Sequence, residues 1–253
     1  MAISTPTSFQ LYSARKFPPL ADRVKELAEI GYTAVEPFGG LYGDAAGLRA
    51  MLDAVGLAAP SGHFGLDMLE QDFDGALAVA RTLGMRFVVC PYLMPEERPA
   101  DAAGWKAFGA RLQAVAARFD KAGLAFAWHN HDFEFRPLPD GSVPIEHILV
   151  EGVAWEADLA WVARAAVDPL PWLQRYAGRV PLVHVKDIAP AGEKADEDGW
   201  ADVGEGVLPW AALWRAAEAA GAEIMVAEHD NPSDAERFAR VSYATMSKLN
   251  GKA

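Results

Sequence analysis

Cysteine is almost absent from this sequence, since Cys90 is the only one among 253 residues. A single cysteine can neither form an internal disulfide nor supply the thiolate pairs of a structural zinc site. The opening residues, MAISTPTSFQLYSARK, also lack the basic, apolar and small-residue order of a secretory signal peptide. Together these absences predict a protein of the reducing cytoplasm.

Basic residues are scarce as well. The chain has 23 lysines and arginines against 35 aspartates and glutamates, a formal net charge of −12. Proteins that bind nucleic acids neutralise phosphates with clustered cations, and no dense cluster of lysine and arginine occurs here. No apolar run reaches the ~18 residues of a transmembrane helix. We therefore expect neither nucleic acids nor membranes as partners. The hydrophobic (51%) and charged (23%) fractions are those of a folded globular chain.

Glycine marks the organisation of the chain. Seven glycines separate an amphipathic stretch from an apolar, β-rich run: Gly31, Gly56, Gly84, Gly123, Gly152, Gly178 and Gly221. Glycine just beyond a helix adopts the left-handed conformation that closes the last turn, so each site predicts a helix followed by a strand. Their spacings, 25, 28, 39, 29, 26 and 43 residues, are typical of βα units. With a further strand at residues 9–13, the pattern predicts an α/β fold, a single (β/α)8 TIM barrel over residues 1–253.

An open, doubly wound sheet is the alternative architecture. The segment LYSARKFPPL stands after the first strand in place of a glycine-rich phosphate fingerprint, which favours the barrel. The last helix is expected to begin with Ser233 as its N-cap, after Asn231 and Pro232. Residues 132–144 and 189–208 break the regular spacing and follow strands. We expect both segments to form lids over the carboxyl-terminal face of the barrel.

Polar side chains gather where the predicted strands end. They are Glu36, His63, His129, Asn130, His131, Asp158, His184, Lys186, Asp187, Glu228, His229 and Asp230. Any one of them could simply cap a helix, and Lys186 could pair with Asp187. In a barrel, however, all these ends meet at one mouth, where converging charges favour a bound cation. Carboxylates with one or two imidazoles suit Mn²⁺, Mg²⁺ or Co²⁺.

A series of motifs runs through the whole chain in order: FQLYS, GYTAVE, SGHFGLD, WHNHDFEF, WEADLAWV, LVHVKD, DVGEGVLPW and MVAEHD. Together they resemble the sugar phosphate isomerase/epimerase family of xylose isomerase-like barrels, which includes endonuclease IV, hexulose epimerases, hydroxypyruvate isomerase and inosose dehydratase. The resemblance implies a divalent metal, with Mn²⁺ expected and Mg²⁺, Co²⁺ or Zn²⁺ as alternatives.

In that family the metal is held by a Glu, an Asp, a His and a second Glu from strands five to eight. Asp158, His184 and Glu228 match three of these positions. Many members carry the first Glu at the end of strand five, where this chain has Trp128 and His129. The resemblance then leaves Glu134 as the fourth ligand, with His131 as the alternative.

The resemblance further implies a metal-dependent isomerase or epimerase that abstracts a proton α to a carbonyl of a ketose, keto-sugar or inosose, through an enediolate. Glu134 and Glu228 are expected to transfer the proton, with His131 as the competing base. The expected substrate-binding residues are Glu36, His63, His129, Trp161 and Lys186. No phosphate-binding loop follows the last two strands, which favours an uncharged sugar substrate over a sugar phosphate.

Three other functions remain open at this stage. Loss of a β-hydroxyl would make the protein a dehydratase, and loss of the proton-transfer pair would leave a non-catalytic, metal-containing sugar-binding barrel. A DNA repair nuclease like endonuclease IV needs a histidine three residues after the strand-six Asp. Trp161 stands there instead, which argues against a nuclease. The sequence does not decide between a monomer and a homo-oligomer.

Overall fold

The structure is a computed structural model that describes residues 6–251. Its strands, in chain order, are β1 (Thr7–Gln10), β2 (Ala34–Glu36), β3 (Ser61–His63), β4 (Phe87–Cys90), β5 (Ala125–His129), β6 (Val153–Asp158), β7 (Leu182–Val185), β8 (Asp187–Ile188), β9 (Trp200–Ala201) and β10 (Ile224–Ala227). Its α-helices are α1 (Leu20–Ile30), α2 (Ala45–Val55), α3 (Leu66–Gln71), α4 (Phe73–Leu83), α5 (Ala102–Lys121), α6 (Pro144–Ile148), α7 (Leu159–Arg164), α8 (Pro169–Arg175), α9 (Trp210–Ala220) and α10 (Ala235–Leu249).

Eight of the strands form one parallel sheet in the order β2-β1-β10-β7-β6-β5-β4-β3. The two end strands approach each other through single bridges, Ala34 with Ala58 and Phe38 with His63, so the barrel is nearly closed. Helices surround it, and the predicted TIM barrel is confirmed. In the described part of the chain, no helix is both long and apolar enough to cross a membrane.

The predicted role of the seven glycines at helix ends is also confirmed. All seven predicted glycines have a positive φ, from 73° at Gly84 to 118° at Gly31. Gly31 closes α1, whose bounds are those of the predicted segment LADRVKELAEI, and its N–H bonds the carbonyls of Leu27 and Ala28. Each helix therefore ends where the next strand must begin, which sets the βα spacing.

Alternation along the strands divides the barrel interior into two levels. The lower level is apolar and consists of Phe87, Val89, Ala127, Leu182, Ile224 and Val226, with Ala154 packed against it. Every second residue of a strand faces the same way, so the next inward positions after Ala127, Leu182 and Val226 are His129, His184 and Glu228. A layer of apolar side chains thus lies beneath a layer of charged and polar side chains at the carboxyl ends of the strands.

Two local predictions are wrong. The first strand ends at Gln10 instead of residue 13, because the Gln10 side chain accepts the Tyr12 N–H and starts a 3₁₀ helix over Leu11–Ala14. Asp234, not Ser233, caps α10, since its carboxylate accepts the Arg237 N–H while the Ser233 hydroxyl donates to Glu197.

The two expected lids differ from each other. The first, residues 132–144, contains only a short 3₁₀ helix, Phe133–Phe135. The second, residues 189–208, is built around the antiparallel pair β8 and β9. Asp187 at the start of β8 accepts the N–H groups of Gly204 (2.9 Å) and Leu208 (3.1 Å), which ties this segment to the barrel.

Candidate active site and metal centre

Two overlapping groups of possible metal ligands lie at the carboxyl ends of the strands. In each group one ligand atom per residue falls within 4.8 Å of all the others. The Asp158 cluster consists of His129, Asp158, His184 and Glu228, and the Glu156 cluster of His63, His129, Glu156 and His184. The register explains the assembly, because Asp158 on β6 is directly opposite His184 on β7.

The Asp158 cluster fits a divalent cation. Asp158 Oδ1 accepts the Trp161 N–H at 2.9 Å, whereas Asp158 Oδ2 and His129 Nδ1 are buried without any hydrogen-bond partner. Burial and the neighbouring His184 hold the pKa of His129 well below its usual range, so its imidazole is neutral and has a free lone pair. Two carboxylates and two imidazoles are the kinds of donor that such an ion prefers, and in this structure His184 Nδ1 lies 2.8 Å from Glu228 Oε2 and His184 Nε2 lies 2.8 Å from Glu36 Oε1.

Glu156 links the imidazoles of the second cluster. Its Oε2 lies 2.6 Å from His63 Nε2 and 3.2 Å from both His129 Nδ1 and His184 Nε2. Burial alone would raise the pKa of Glu156, but the His184 and His63 imidazoles lower it below its ordinary range. Glu156 therefore stands as a buried anion that orients three histidine rings.

Glu36 supports the same rings from β2. It accepts hydrogen bonds from Gln10 Nε2 (2.7 Å) and from the Ser61 hydroxyl, and its Oε1 lies 2.8 Å from His184 Nε2. The side chain is fully buried. Glu36 was expected to bind substrate, but it does not line the cleft. It is one of the groups that contact His184.

Lys186 neutralises the carboxylates of the site. Its ammonium lies 2.9 Å from Glu228 Oε2, 2.9 Å from Asp230 and 3.3 Å from Asp158 Oδ2, and it is fully buried. Burial alone would lower the pKa of Lys186, but the carboxylates of Asp158, Asp230 and Glu228 raise it above its ordinary value. Asp187, the other partner considered for this lysine, bonds backbone N–H groups instead.

The structure does not bring Glu134 to the other candidate ligands. The indole N–H of Trp128 donates to its Oε1 (3.0 Å), and the His131 backbone N–H donates to its Oε2 (2.9 Å). Glu134 belongs to neither ligand cluster, and burial raises its pKa to about 8. His129, expected only to bind substrate, occupies the fourth position of the Asp158 cluster.

His131, the alternative fourth ligand, also lies outside both clusters. Its ring packs against Tyr92 (4.9 Å between centroids) and Trp161 (5.1 Å), and its Nδ1 has no hydrogen-bond partner. Burial and the nearby His129 hold the pKa of His131 well below its usual range. The imidazole is therefore neutral in the resting protein.

A cleft of about 740 Å³ opens above these groups. It is lined by Tyr12, Arg15, Phe38, Gly39, Gly40, His63, Gly65, Pro91, Tyr92, His129, His131, Trp161, Arg164, Asp198, Trp200, Glu228 and Asp230. Of the expected catalytic and substrate-binding residues, His63, His129, His131, Trp161 and Glu228 reach it. Asp198 and Trp200 come from the second expected lid.

The sequence analysis missed several of these residues. Glu156 carried a usable signal, because it lies two positions before Asp158 and must share its face of β6. No sequence signal identified Tyr12, Arg15 and Tyr92. They lie outside the barrel strands, where no alternating pattern predicts which way a side chain points.

Comparison with known proteins agrees with the fold. A curated relative, the rhizopine catabolism protein MocC of Rhizobium meliloti, is 26% identical over 206 residues, which cover 72% of this chain and 61% of that protein. The chain thus spans less than two thirds of the length of that relative.

Two solved structures are similar to the whole barrel. A sugar phosphate isomerase/epimerase from Parabacteroides distasonis superposes with a TM-score of 0.81 at 21% identity, covering 96% of this chain and 93% of that one. The IOLI protein with a bound zinc atom gives a TM-score of 0.77 at 16% identity, covering 98% of both chains. The family model for the xylose isomerase-like TIM barrel matches residues 24–248. The chain therefore belongs to the xylose isomerase-like TIM barrel family.

Proposed function

We propose that the protein is a divalent-metal-dependent sugar isomerase or epimerase, which moves a proton at the carbon α to the carbonyl of a ketose, keto-sugar or inosose. The observation that carries the proposal is the Asp158 cluster, in which four buried ligand atoms lie within 4.8 Å of one another and two of the four residues, His129 and Glu228, line the cleft. Family membership and the sugar phosphate isomerase/epimerase with the same fold support this reaction class.

His129, Asp158, His184 and Glu228 are the proposed ligands. This set replaces the Glu134 of the sequence-based expectation with His129, because both Glu134 oxygens already accept hydrogen bonds inside the protein. When bound, the ion would polarise the substrate carbonyl and stabilise the negative charge of the enediolate. The mixed oxygen and nitrogen donors suit Mn²⁺, and the zinc of the IOLI protein makes Zn²⁺ the main alternative.

His131 and Glu228 are the proposed proton-transfer groups. Both line the cleft, the imidazole is neutral, and Lys186 and His184 hold the pKa of Glu228 well below its usual range against the opposing effect of burial. Two bases at one cleft can serve opposite faces of a carbon for epimerisation, whereas one base suffices to shuttle a proton for isomerisation. Lys186 does not line the cleft, so its role is to neutralise and position Glu228.

Dehydration is a second candidate, and His63 favours it. This side chain lines the cleft, and although burial alone would lower its pKa, Glu36 and Glu156 raise it to about 10. The imidazole is thus protonated at neutral pH and could donate to a departing β-hydroxyl.

The decisive experiment is proton NMR in D₂O with a panel of ketoses, keto-sugars, keto-glycosides and inososes. Metal-stripped protein and protein reloaded with Mn²⁺, Co²⁺, Zn²⁺ or Mg²⁺ are compared, with free ion removed. Metal-dependent entry of deuterium at the α-carbon supports isomerase or epimerase chemistry, and a dehydrated product supports the second candidate. Sugar binding without exchange or elimination by any metal form would instead favour the non-catalytic barrel.

A further inference from the structure

We infer that the substrate carries a second ring, bound in an outer subsite formed by the loops after β1 to β4, so that the sugar is turned over as a glycoside. The inference rests on the proposed function, because the reacting sugar is taken to lie over the Asp158 cluster. The outer subsite consists of Tyr12, Phe38, Gly39, Gly65, Pro91 and Tyr92, all of which line the cleft.

Exposed apolar side chains are concentrated at the mouth of the barrel. Within residues 6–251, the exposed large hydrophobic residues are Tyr12 (39%), Tyr92 (37%), Met94 (50%) and Val207 (58%). All four are on loops that follow strands, and Tyr12 and Tyr92 line the cleft itself. Exposed aromatic surface that is continuous with a polar reaction centre is typical of a ligand-binding surface.

The two tyrosine rings are held in place. The Arg15 guanidinium lies 3.7 Å from the Tyr12 ring centroid, and the edge of Phe38 meets the same ring at 5.3 Å. Tyr92 is fixed by edge contacts with His131 (4.9 Å) and Phe133 (5.8 Å). Rings held this way can pack against another ring at little cost in conformational entropy.

The size of the cleft exceeds the needs of one sugar. A hexose fills roughly 200 Å³ at the packing density of organic crystals, whereas the cleft measures about 740 Å³. Gly39 and Gly65 both line the cleft, and an added Cβ at either would meet no atom within 4 Å, so the cleft has open space beside these two glycines. A second ring attached through a glycosidic oxygen, either another sugar or an aromatic aglycone, fits this volume.

Gly39 provides a selective way to block the outer subsite. Gly39 and Gly43 belong to the same 3₁₀ helix, Gly39–Asp44, and an added Cβ is unobstructed at both, but only Gly39 lines the cleft. Gly39→Leu therefore projects a side chain into the subsite, and Gly43→Leu is its matched control. Tyr12→Ala tests the same subsite by removing a ring.

The test compares one keto-sugar as its methyl glycoside, its phenyl glycoside and a disaccharide. Binding is followed by the fluorescence of Trp161 and Trp200, which line the cleft, and turnover by deuterium exchange. We expect a second ring to tighten binding at least tenfold in the wild-type protein. Gly39→Leu and Tyr12→Ala should remove most of that gain while changing methyl glycoside binding less than threefold, and Gly43→Leu should behave as wild type. The better of the phenyl and disaccharide ligands identifies the second ring.

The possible failures are distinct. If methyl and ring-bearing glycosides bind equally, or if Gly39→Leu weakens all ligands alike, the outer subsite is refuted even though exchange continues. If ring-bearing glycosides bind more tightly and no ligand exchanges deuterium, the subsite stands and the proposed reaction falls. Circular dichroism of each variant separates a blocked subsite from a misfolded barrel.

Discussion

The two halves of the barrel mouth are built differently. The half formed by β5, β6, β7 and β10 supplies the candidate ligands, which are inward-facing strand residues held by buried ion pairs. The half formed by β1 to β4 presents the loop residues Tyr12, Phe38, Gly39 and Tyr92 to the cleft. The proposed reaction centre thus depends on strand register, whereas the proposed outer subsite depends on loops.

The half formed by β1 to β4 also contributes to the candidate metal site, because its strands support the ligand half from below. Glu36 from β2 lies 2.8 Å from His184 Nε2, and His63 from β3 lies 2.6 Å from Glu156 Oε2. These contacts orient the candidate ligand His184 and, through Glu156, the candidate ligand His129. A variant in either half can therefore affect metal binding. Metal binding and substrate binding must be measured separately to distinguish the roles of the two halves.

Asp158→Asn should have the largest effect. The amide oxygen can still accept the Trp161 N–H and cap α7, but the second carboxylate oxygen, Oδ2, which lies 3.3 Å from the Lys186 ammonium, is lost as a ligand. We expect bound metal to fall below one tenth of the wild-type content and catalytic efficiency to fall on the order of 10³-fold, since the charge stabilisation is removed. Metal analysis and deuterium exchange check both values.

Asp140→Asn is the control for this substitution, because Asp140 is an exposed carboxylate that bonds only Ser142 in a surface turn. It should leave metal content and exchange unchanged. Full activity in Asp158→Asn would place the reaction centre elsewhere in the cleft.

Lys186→Met tests the charge balance of the ligand half. Removing one partner of a buried ionic network leaves uncompensated charge, so we expect the metal-free variant to lose about 3–5 kcal/mol of unfolding free energy. A divalent ion would then replace the missing positive charge beside Asp158 and Glu228. The melting temperature should therefore rise more on metal addition in Lys186→Met than in the wild type.

Lys194→Met is the matched control. Lys194 pairs with Glu197 at 3.1 Å with its side chain 36% exposed, so its removal should cost less than about 1 kcal/mol. Calorimetry with and without metal distinguishes the variants, and equal losses would show that Lys186 is an ordinary ion pair.

Much of the ligand half was predictable from the sequence. Asp158, His184 and Glu228 could be identified because they match the metal-ligand positions of the family that the sequence resembles, at strand ends that a closed barrel gathers at one mouth. The fourth ligand could not be decided between Glu134 and His131, and His129 was not identified as a candidate, because the answer depends on how the chain turns after β5. There the Glu134 carboxylate accepts the Trp128 and His131 N–H groups. The residues of the outer subsite could not be predicted for a similar reason, since the orientation of loop side chains follows no repeating sequence pattern.

Glu156→Gln should have a smaller effect than loss of a ligand. The isosteric amide keeps the volume but removes the charge that orients His63, His129 and His184. Substitutions that disturb such supporting groups weaken metal binding about 10–100-fold. Competition titration with a chelator measures the affinity. The substrate KM, measured at saturating metal, should change little. An unchanged metal affinity would show that the histidines do not need Glu156 for their orientation.

Glu134→Gln should have the smallest effect on the metal and most directly separates the two candidate ligands. Because Glu134 bonds Trp128 and His131 and not the cluster, its substitution should change metal affinity less than threefold, whereas His129→Asn should reduce it at least tenfold. The reverse ranking would make Glu134 the ligand.

The stability of Glu134→Gln should also differ from the wild type in its dependence on pH. Burial raises the pKa of Glu134 to about 8 from its ordinary value of 4.5. The folded protein therefore binds this proton more tightly than the unfolded chain does. The stabilisation is complete below pH 4.5 and is lost as the pH rises through 8. Gln cannot ionise, so the unfolding free energy of the variant relative to wild type should increase across this window, as urea titrations at pH 5, 7 and 9 would show. A constant difference would mean that Glu134 is already ionised in the folded protein, and an ionised Glu134 would again be a candidate for the metal.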